Sequence, residues 1–136
     1  MLILRTSRVD GAGENNFVAK VLQWAATQPE LRIVADQICR PTWSVRIAQA
    51  MVEILRQCLA AGDFPETYRS VIHLASIGSA SRYTWAKAIL NLAALDPPPR
   101  LVPAVTAEIP STAIRPRYSV LDRTKLEERF GARLSV

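Results

Sequence analysis

The 136 residues contain one histidine, two cysteines, five glycines and three lysines. A lone histidine, His73, cannot complete a histidine-rich metal site. Cys39 and Cys58 share no ligand spacing, so no metal centre is expected. Two thiols without a disulfide framework fit a reduced, cytoplasmic protein. No apolar run approaches the ~18 residues of a membrane span, and no membrane partner is expected. The opening Met1-Leu2-Ile3-Leu4 is too short for the core of a signal peptide. Gly11-Ala12-Gly13 begins like a dinucleotide fingerprint, but the third glycine position holds Asn16 and the G-x-G-x-x-G pattern fails. Internal repeats and low-complexity tracts are absent as well.

Apolar residues make up 49% of the chain, enough for a core. The size suits one domain or a piece of one. Of 17 basic residues 14 are Arg, against 12 acidic ones, for a net charge of +5. The arginines are scattered, without runs or interleaved aromatics, which argues against a nucleic-acid module. Guanidinium matches phosphate geometry, so a small phosphorylated ligand fits better.

The chain is organised around Asp36-Gln37-Ile38-Cys39-Arg40-Pro41-Thr42-Trp43. It follows a strand-like run, Leu31 to Val34, and precedes a long helical pattern. Pro41 disfavours helix at Arg40, and Thr42 reads as an N-cap, which predicts a tight polar loop and a helix from Trp43 to Ala61 stopped by Gly62. A helix N-terminus there favours an anion, or forms an ordinary connection between strand and helix. Cys58 lies on that helix's apolar face and reads as a core thiol.

Before this stretch, Leu2-Ile3-Leu4 reads as a buried parallel strand, with Arg5 to Arg8 at its carboxyl end, where open α/β sheets bind ligands. Asp10 to Gly13 reads as a loop. Asn15 or Asn16 caps a helix through Phe17, Val18, Val21, Leu22 and Ala25, with Pro29 marking its end. Trp24, at the edge of that face, reads as core.

Beyond the long helix, Asp63 to Thr67 is an expected loop and Arg69 to Ala75 an expected strand. His73, within it, reads as structural, since no nucleophile or carboxylate pattern accompanies it. Ser79-Ala80-Ser81 opens a third helix. Its Tyr83 and Lys87 form a Tyr-x-x-x-Lys pair, which ordinary helix-surface spacing explains. Asp96 to Pro103 carries four prolines and reads as an extended connector. A short edge strand is expected over Ala104 to Ile109, then a polar loop to Tyr118. Asp122 or Thr124 caps a last helix, Lys125 to Phe130, ending at Gly131.

Four segments in order carry a resemblance. They are Arg5-Thr6-Ser7 with Asn15-Asn16-Phe17; Asp36-Gln37-Ile38 with Pro41-Thr42; His73-Leu74 before a serine-rich helix start; and Arg115-Pro116 with Ser119-Val120-Leu121-Asp122. Together, from Leu2 to Leu134, they resemble the carboxyl-terminal half of dTDP-4-dehydrorhamnose reductases, which are extended short-chain dehydrogenases. The resemblance implies an α/β fold: the substrate-binding lobe with the last strands of a Rossmann-type sheet. Residues 1–136 would then be a single truncated domain, the sugar-nucleotide-binding half without its cofactor-binding half.

It also implies NADPH-dependent reduction of dTDP-4-dehydro-L-rhamnose to dTDP-L-rhamnose by the family. The family's G-x-G-x-x-G turn and catalytic Tyr-x-x-x-Lys precede the Arg-Thr-Ser strand, so Tyr83 and Lys87 cannot be that pair and no catalytic residue is assigned. Thr6 and Ser7 are implied beside the nicotinamide. Asn16, Gln37, Pro41 and Arg115 are implied to shape the dTDP-sugar pocket.

Where the family usually reads Arg-Thr-Ser-Trp-x-Tyr-Gly, Arg8 replaces the tryptophan and Asp10 the tyrosine. Cys39 stands for a glycine and Ile114 for an arginine. These changes cluster at pocket positions and fit an altered substrate or a decayed gene product. The expectation is a fragment without reductase activity of its own, whose binding of NADPH is doubtful. The alternative is a non-catalytic sugar-nucleotide-binding or regulatory subunit of the same fold. An exposed face left by a missing half would favour self-association or pairing with an upstream Rossmann half.

Overall fold

A computed structural model describes residues 1–62 and 66–135. In chain order the elements are β1 (Ile3–Arg5), β2 (Arg8–Asp10), α1 (Phe17–Thr27), β3 (Glu30–Val34), β4 (Ile38–Cys39), β5 (Pro41–Trp43), α2 (Ser44–Ala60), β6 (Val71–His73), β7 (Ala80–Ser81), α3 (Arg82–Ala93), β8 (Arg100–Ala104), β9 (Tyr118–Ser119) and α4 (Thr124–Phe130). Short 3-10 turns form at Glu66–Tyr68 and Thr106–Glu108. The chain divides into two compact units.

The first unit comprises Met1–Gly11, Arg40–Gly78 and Val120–Val136. β1 pairs in parallel with β6, setting Arg5 opposite His73, and β2 pairs in parallel with β5, setting Asp10 opposite Trp43. The α2 face bearing Ala50, Ile54 and Cys58 packs on Ile72, Leu74, Leu126, Phe130 and Leu134. Cys58 is thus a core thiol, as its place on the helical pattern predicts. Gly62 supplies the left-handed φ of +78° just beyond the helix end.

The second unit comprises Ala12–Cys39 and Ser79–Ser119. β3 and β8 pair in parallel over five residues, and β4 lies between antiparallel β7 and parallel β9. Phe17 and Val21 of α1, Leu31 and Ile33 of β3, and Ala86, Ile89 and Leu90 of α3 form its core. Trp24 packs against this cluster and meets Phe17 edge-on, with 6.5 Å between ring centroids. Asn16 caps α1 by accepting from the Ala19 N–H at 3.0 Å. Ser81 caps α3 in the same way, accepting from Thr84 N–H at 3.0 Å.

Several expectations are corrected. Thr42 is not a cap. Its side chain is buried, its hydroxyl donates to Arg40 O at 3.1 Å and accepts from Ser76 N–H at 3.2 Å, and the helix begins at Ser44 with no side-chain cap. The expected polar loop is therefore largely two short strands, β4 and β5. Asp10 belongs to β2 rather than to a loop. Ala104 to Ile109 is not an edge strand: the strand is Arg100–Ala104, formed by the end of the expected connector together with Ala104, and a 3-10 turn follows. Pro103 is tolerated there because β8 pairs on one side only. The Arg100 N–H donates to Pro29 O at 2.8 Å, so the two-residue period turns position 103 outward.

The sixth strand is shorter than expected, Val71–His73. Of the expected Asp63 to Thr67 loop, Asp63, Phe64 and Pro65 lie outside the described residues, and the Glu66–Tyr68 turn follows. The last helix starts at Thr124, with Arg123 rather than Asp122 or Thr124 at the cap position and no side-chain cap; the Thr124 N–H donates to Asp122 Oδ1 at 3.1 Å, and Gly131 ends the helix at φ +61°.

Candidate functional site

The carboxyl end of β1 opens into Thr6, exposed, and Ser7, half-buried. Two hydroxyls at the end of a parallel strand fit a contact to one end of a dinucleotide. They do not form the glycine-rich backbone cradle that a pyrophosphate requires. In the same unit Pro41 is buried in β5, where its ring serves packing. The neighbouring Arg40 turns its guanidinium onto the backbone, Nη1 donating to Ser76 O at 3.1 Å and to Gly78 O at 2.9 Å. Arg40 and Thr42 together tie β5 to the turn after β6.

The two residues that depart from the family pattern beside Thr6 and Ser7 belong together. Arg8 and Asp10 lie two apart in β2, on one face of the strand. Their Nε–Oδ2 distance is 3.5 Å, with side-chain exposures of 15% and 4%. Neither Asp10 oxygen has a hydrogen bond, and among the described residues Arg8 is its ion-pair partner. The charges that replace two aromatics therefore neutralise each other below the surface. The i, i+2 spacing of opposite charges was the signal available in the sequence.

A cleft of about 290 Å³ in this unit is lined by Arg40, Asp122, Arg123, Thr124, Glu127 and Glu128. Three carboxylates against two guanidiniums disfavour an anionic nucleotide there. The Arg123–Glu127 ion pair at 3.0 Å engages two of these charges. His73 Nδ1 lies 2.9 Å from Asp122 O; a carbonyl only accepts, so Nδ1 carries the proton. That contact makes His73 a brace between β6 and the start of α4, the structural role expected. Thr124's hydroxyl and N–H, bonded to the Asp122 carboxylate, draw its pKa below the ordinary value. Among the described residues no group of His, Cys, Asp and Glu is arranged to hold a metal ion.

In the second unit, Asn16 spends its amide on the α1 cap, Nδ2 donating to Gly13 O while Oδ1 accepts from Ala19 N–H. Gln37 is buried, and its Nε2 donates to Thr106 Oγ1 at 3.1 Å. Thr106 in turn gives both donors to Asp36 Oδ1, its N–H at 2.9 Å and its hydroxyl at 2.6 Å. The other oxygen, Oδ2, faces Arg117 Nε at 3.9 Å. The Thr106 hydroxyl bond is the largest influence drawing the Asp36 pKa below its ordinary value; partial burial opposes it and the Arg117 charge adds to it. Arg115 stands exposed on the loop that follows, within a run of exposed residues from Pro110 to Tyr118. Gln37, Thr106 and Asp36 thus form one hydrogen-bonded chain that ends on Arg117, two residues beyond Arg115. Asp36 and Thr106, its central members, are the residues that sequence reasoning left unassigned.

Tyr83 packs against the core of this unit and Lys87 is exposed, as their helix-surface spacing implies. Among the described residues no helix is long and apolar enough to cross a membrane.

A family model described as the RmlD substrate binding domain matches residues 1–135. The dTDP-4-dehydrorhamnose reductase of Burkholderia thailandensis is 37% identical over 142 aligned positions, covering 98% of this chain and 47% of that protein. The crystal structure of the dTDP-4-dehydrorhamnose reductase of Bacillus anthracis, in complex with NADP, superposes with a TM-score of 0.85 at 26% identity, over 98% of this chain and 44% of that one. The ortholog from Clostridium acetobutylicum gives a TM-score of 0.81 at 31% identity, over 94% and 41%. The chain therefore spans a little under half the length of the relatives it matches. Its α/β fold is that of the carboxyl-terminal portion of Rossmann-type extended short-chain dehydrogenases. By the match over nearly its whole length, the chain belongs to the RmlD substrate binding domain family.

Proposed function

We propose that this chain is the sugar-nucleotide-binding part of an NADPH-dependent, cytoplasmic reductase of a dTDP-4-keto sugar. The observation that carries the reading is the family match over residues 1–135. Arg115 would meet the diphosphate with its forked donors. Gln37 and Pro41 would shape the sugar pocket, and Asn16 would act by fixing the start of α1. Thr6 and Ser7 would contact the nicotinamide end of the cofactor. NADPH, when bound, supplies the hydride for the ketone carbon.

These residues bind and orient; none is assigned to proton transfer to the ketone oxygen. The 136 residues hold no G-x-G-x-x-G turn, and Tyr83 of the one Tyr-x-x-x-Lys pair is packed on the second unit's core. The expected result with the purified chain is no oxidation of NADPH in the presence of dTDP-4-dehydrorhamnose. Oxidation that tracks the pure protein would overturn that part of the reading. The Arg8–Asp10 pair, in place of two aromatics, favours a substrate other than the family's usual one.

A second reading rests on α2. Val45, Val52, Leu55 and Leu59 are 49%, 49%, 56% and 79% exposed, and with Ala48 they follow a 3-4 spacing along one stripe. The buried face of α2 uses Ala50, Ile54 and Cys58, so this stripe is apolar surface beyond what the core needs. It suits a non-catalytic or partner role in which a cofactor-binding polypeptide covers the stripe. Sedimentation with that half of a relative added should show a complex that Leu55→Glu abolishes. A strictly monomeric chain at tens of micromolar, alone and with that half present, would contradict this reading.

A further inference from the structure

We propose that Asp36 is a positioning residue whose two carboxylate oxygens close the base of the loop from Ala107 to Pro116 and so set where Arg115 stands. The inference rests on the sugar-nucleotide reading above and names how that site is held. Oδ1 takes both donors of Thr106, immediately before the loop. Oδ2 faces Arg117, immediately after it, at 3.9 Å.

The backbone repeats the same closure, since Ile38 N–H donates to Arg117 O at 2.7 Å and β9 continues in parallel along β4. On the near side, Glu108 fixes the 3-10 turn to β3 by pairing with Arg32 at 3.0 Å. Between these anchors the residues from Pro110 to Tyr118 are exposed, with Ile114 projecting fully into solvent. The loop thus has a fixed base, and Arg115 lies two residues before the Arg117 anchor, close to that base.

The charge arrangement explains why a carboxylate occupies position 36. Arg117 faces the Asp36 carboxylate at the base, so the guanidinium of the loop that faces no carboxylate is that of Arg115. Among the described residues Arg115 has no ion pair, and it is open to an anionic ligand. Gln37, bonded to the same Thr106 hydroxyl, is oriented by the same carboxylate. One side chain therefore positions two of the residues that the function assigns to the sugar nucleotide in this unit, Gln37 and Arg115.

The test is a double-mutant cycle in dTDP affinity by isothermal titration calorimetry, on the full 136-residue chain. Asp36→Asn is expected to weaken dTDP binding at least fivefold. In an Arg115→Met background the same change is expected to add less than twofold, because the residue it positions is already gone. Thr106→Val should reproduce the loss and Thr106→Ser restore it. Hydrogen exchange at the amides of residues 111–115 and 117 should speed up in Asp36→Asn even without ligand.

An equal loss in both backgrounds, or unchanged affinity in Asp36→Asn, overturns the positioning role while leaving the sugar-nucleotide reading intact. No heat from the wild-type chain with dTDP overturns the reading itself, and the proposal with it. Unchanged exchange in the loop overturns the closure whatever the ligand does.

Discussion

Replacing Arg8 with methionine should remove a large share of the protein's stability. The change leaves the Asp10 carboxylate, 4% exposed at the side chain, without its counter-ion. At a separation of 3.5 Å, the attraction is about 4–5 kcal/mol with an effective dielectric near 20. Breaking a buried pair by deleting one partner costs about 3–5 kcal/mol, because the remaining charge stays desolvated. A domain of this size has roughly 5–15 kcal/mol in total. Arg8→Met is therefore expected to remove about a third of it and to lower Tm by about 10 °C or more.

The double variant Arg8→Met, Asp10→Leu is expected to lie within about 1 kcal/mol of wild type, since an apolar pair needs no counter-ion. Urea unfolding followed by far-ultraviolet circular dichroism at neutral pH, on the wild type, both single variants and the double variant, gives the coupling energy. A cost below about 1 kcal/mol for Arg8→Met, or additive single effects, would refute the buried-pair argument.

Ala94 ends α3 at φ +47°, a left-handed conformation disfavoured for alanine; Ala94→Gly is expected to raise stability by up to about 1 kcal/mol, read by the same urea curves. Asn16→Ala removes the α1 cap and should cost about 1 kcal/mol, with loss of helical signal confined to that helix in amide exchange. Asp36 has a folded-state pKa below its ordinary value, so its bonds add stability above about pH 4 and lose it as pH falls through and below that range. Thermal melts from pH 6 to pH 3 should show a shallower decline for Asp36→Asn than for wild type, and parallel curves would contradict the assignment.

The helices were legible because their signals are local. The spacing from Phe17 to Ala25 and the helical pattern before Gly62 mark two helices, and Asn16 and Ser81 sit where a cap must, whereas the last helix has Arg123 at its cap position with no side-chain cap. The short strands were not. A two- or three-residue strand such as β4 or β5 carries no period, and its pairing is decided by residues far along the chain. Thr42 looked like a cap because a threonine before a helix usually is one; its hydroxyl is taken instead by Ser76, 34 positions away. The Asp36–Thr106 bond spans 70 positions and left no local trace.

Of the site, the resemblance supplied Gln37 and Arg115, and the structure supplied the Asp36–Thr106 bonds that hold Gln37 and the base of the Arg115 loop. The Arg8–Asp10 pair was visible as two departures from a pattern. Reading them as one ion pair needed only the geometry of a strand, where residues two apart share a face.

The central claim is that these residues form a folded lobe that holds the dTDP portion of a sugar nucleotide without the cofactor. A thermal-shift titration of the purified chain with dTDP, dTDP-rhamnose and NADPH, each added separately, tests it most directly. A cooperative melt whose midpoint rises with both dTDP ligands and stays fixed with NADPH is the expected result. A cooperative melt that none of the three ligands moves would contradict the claim.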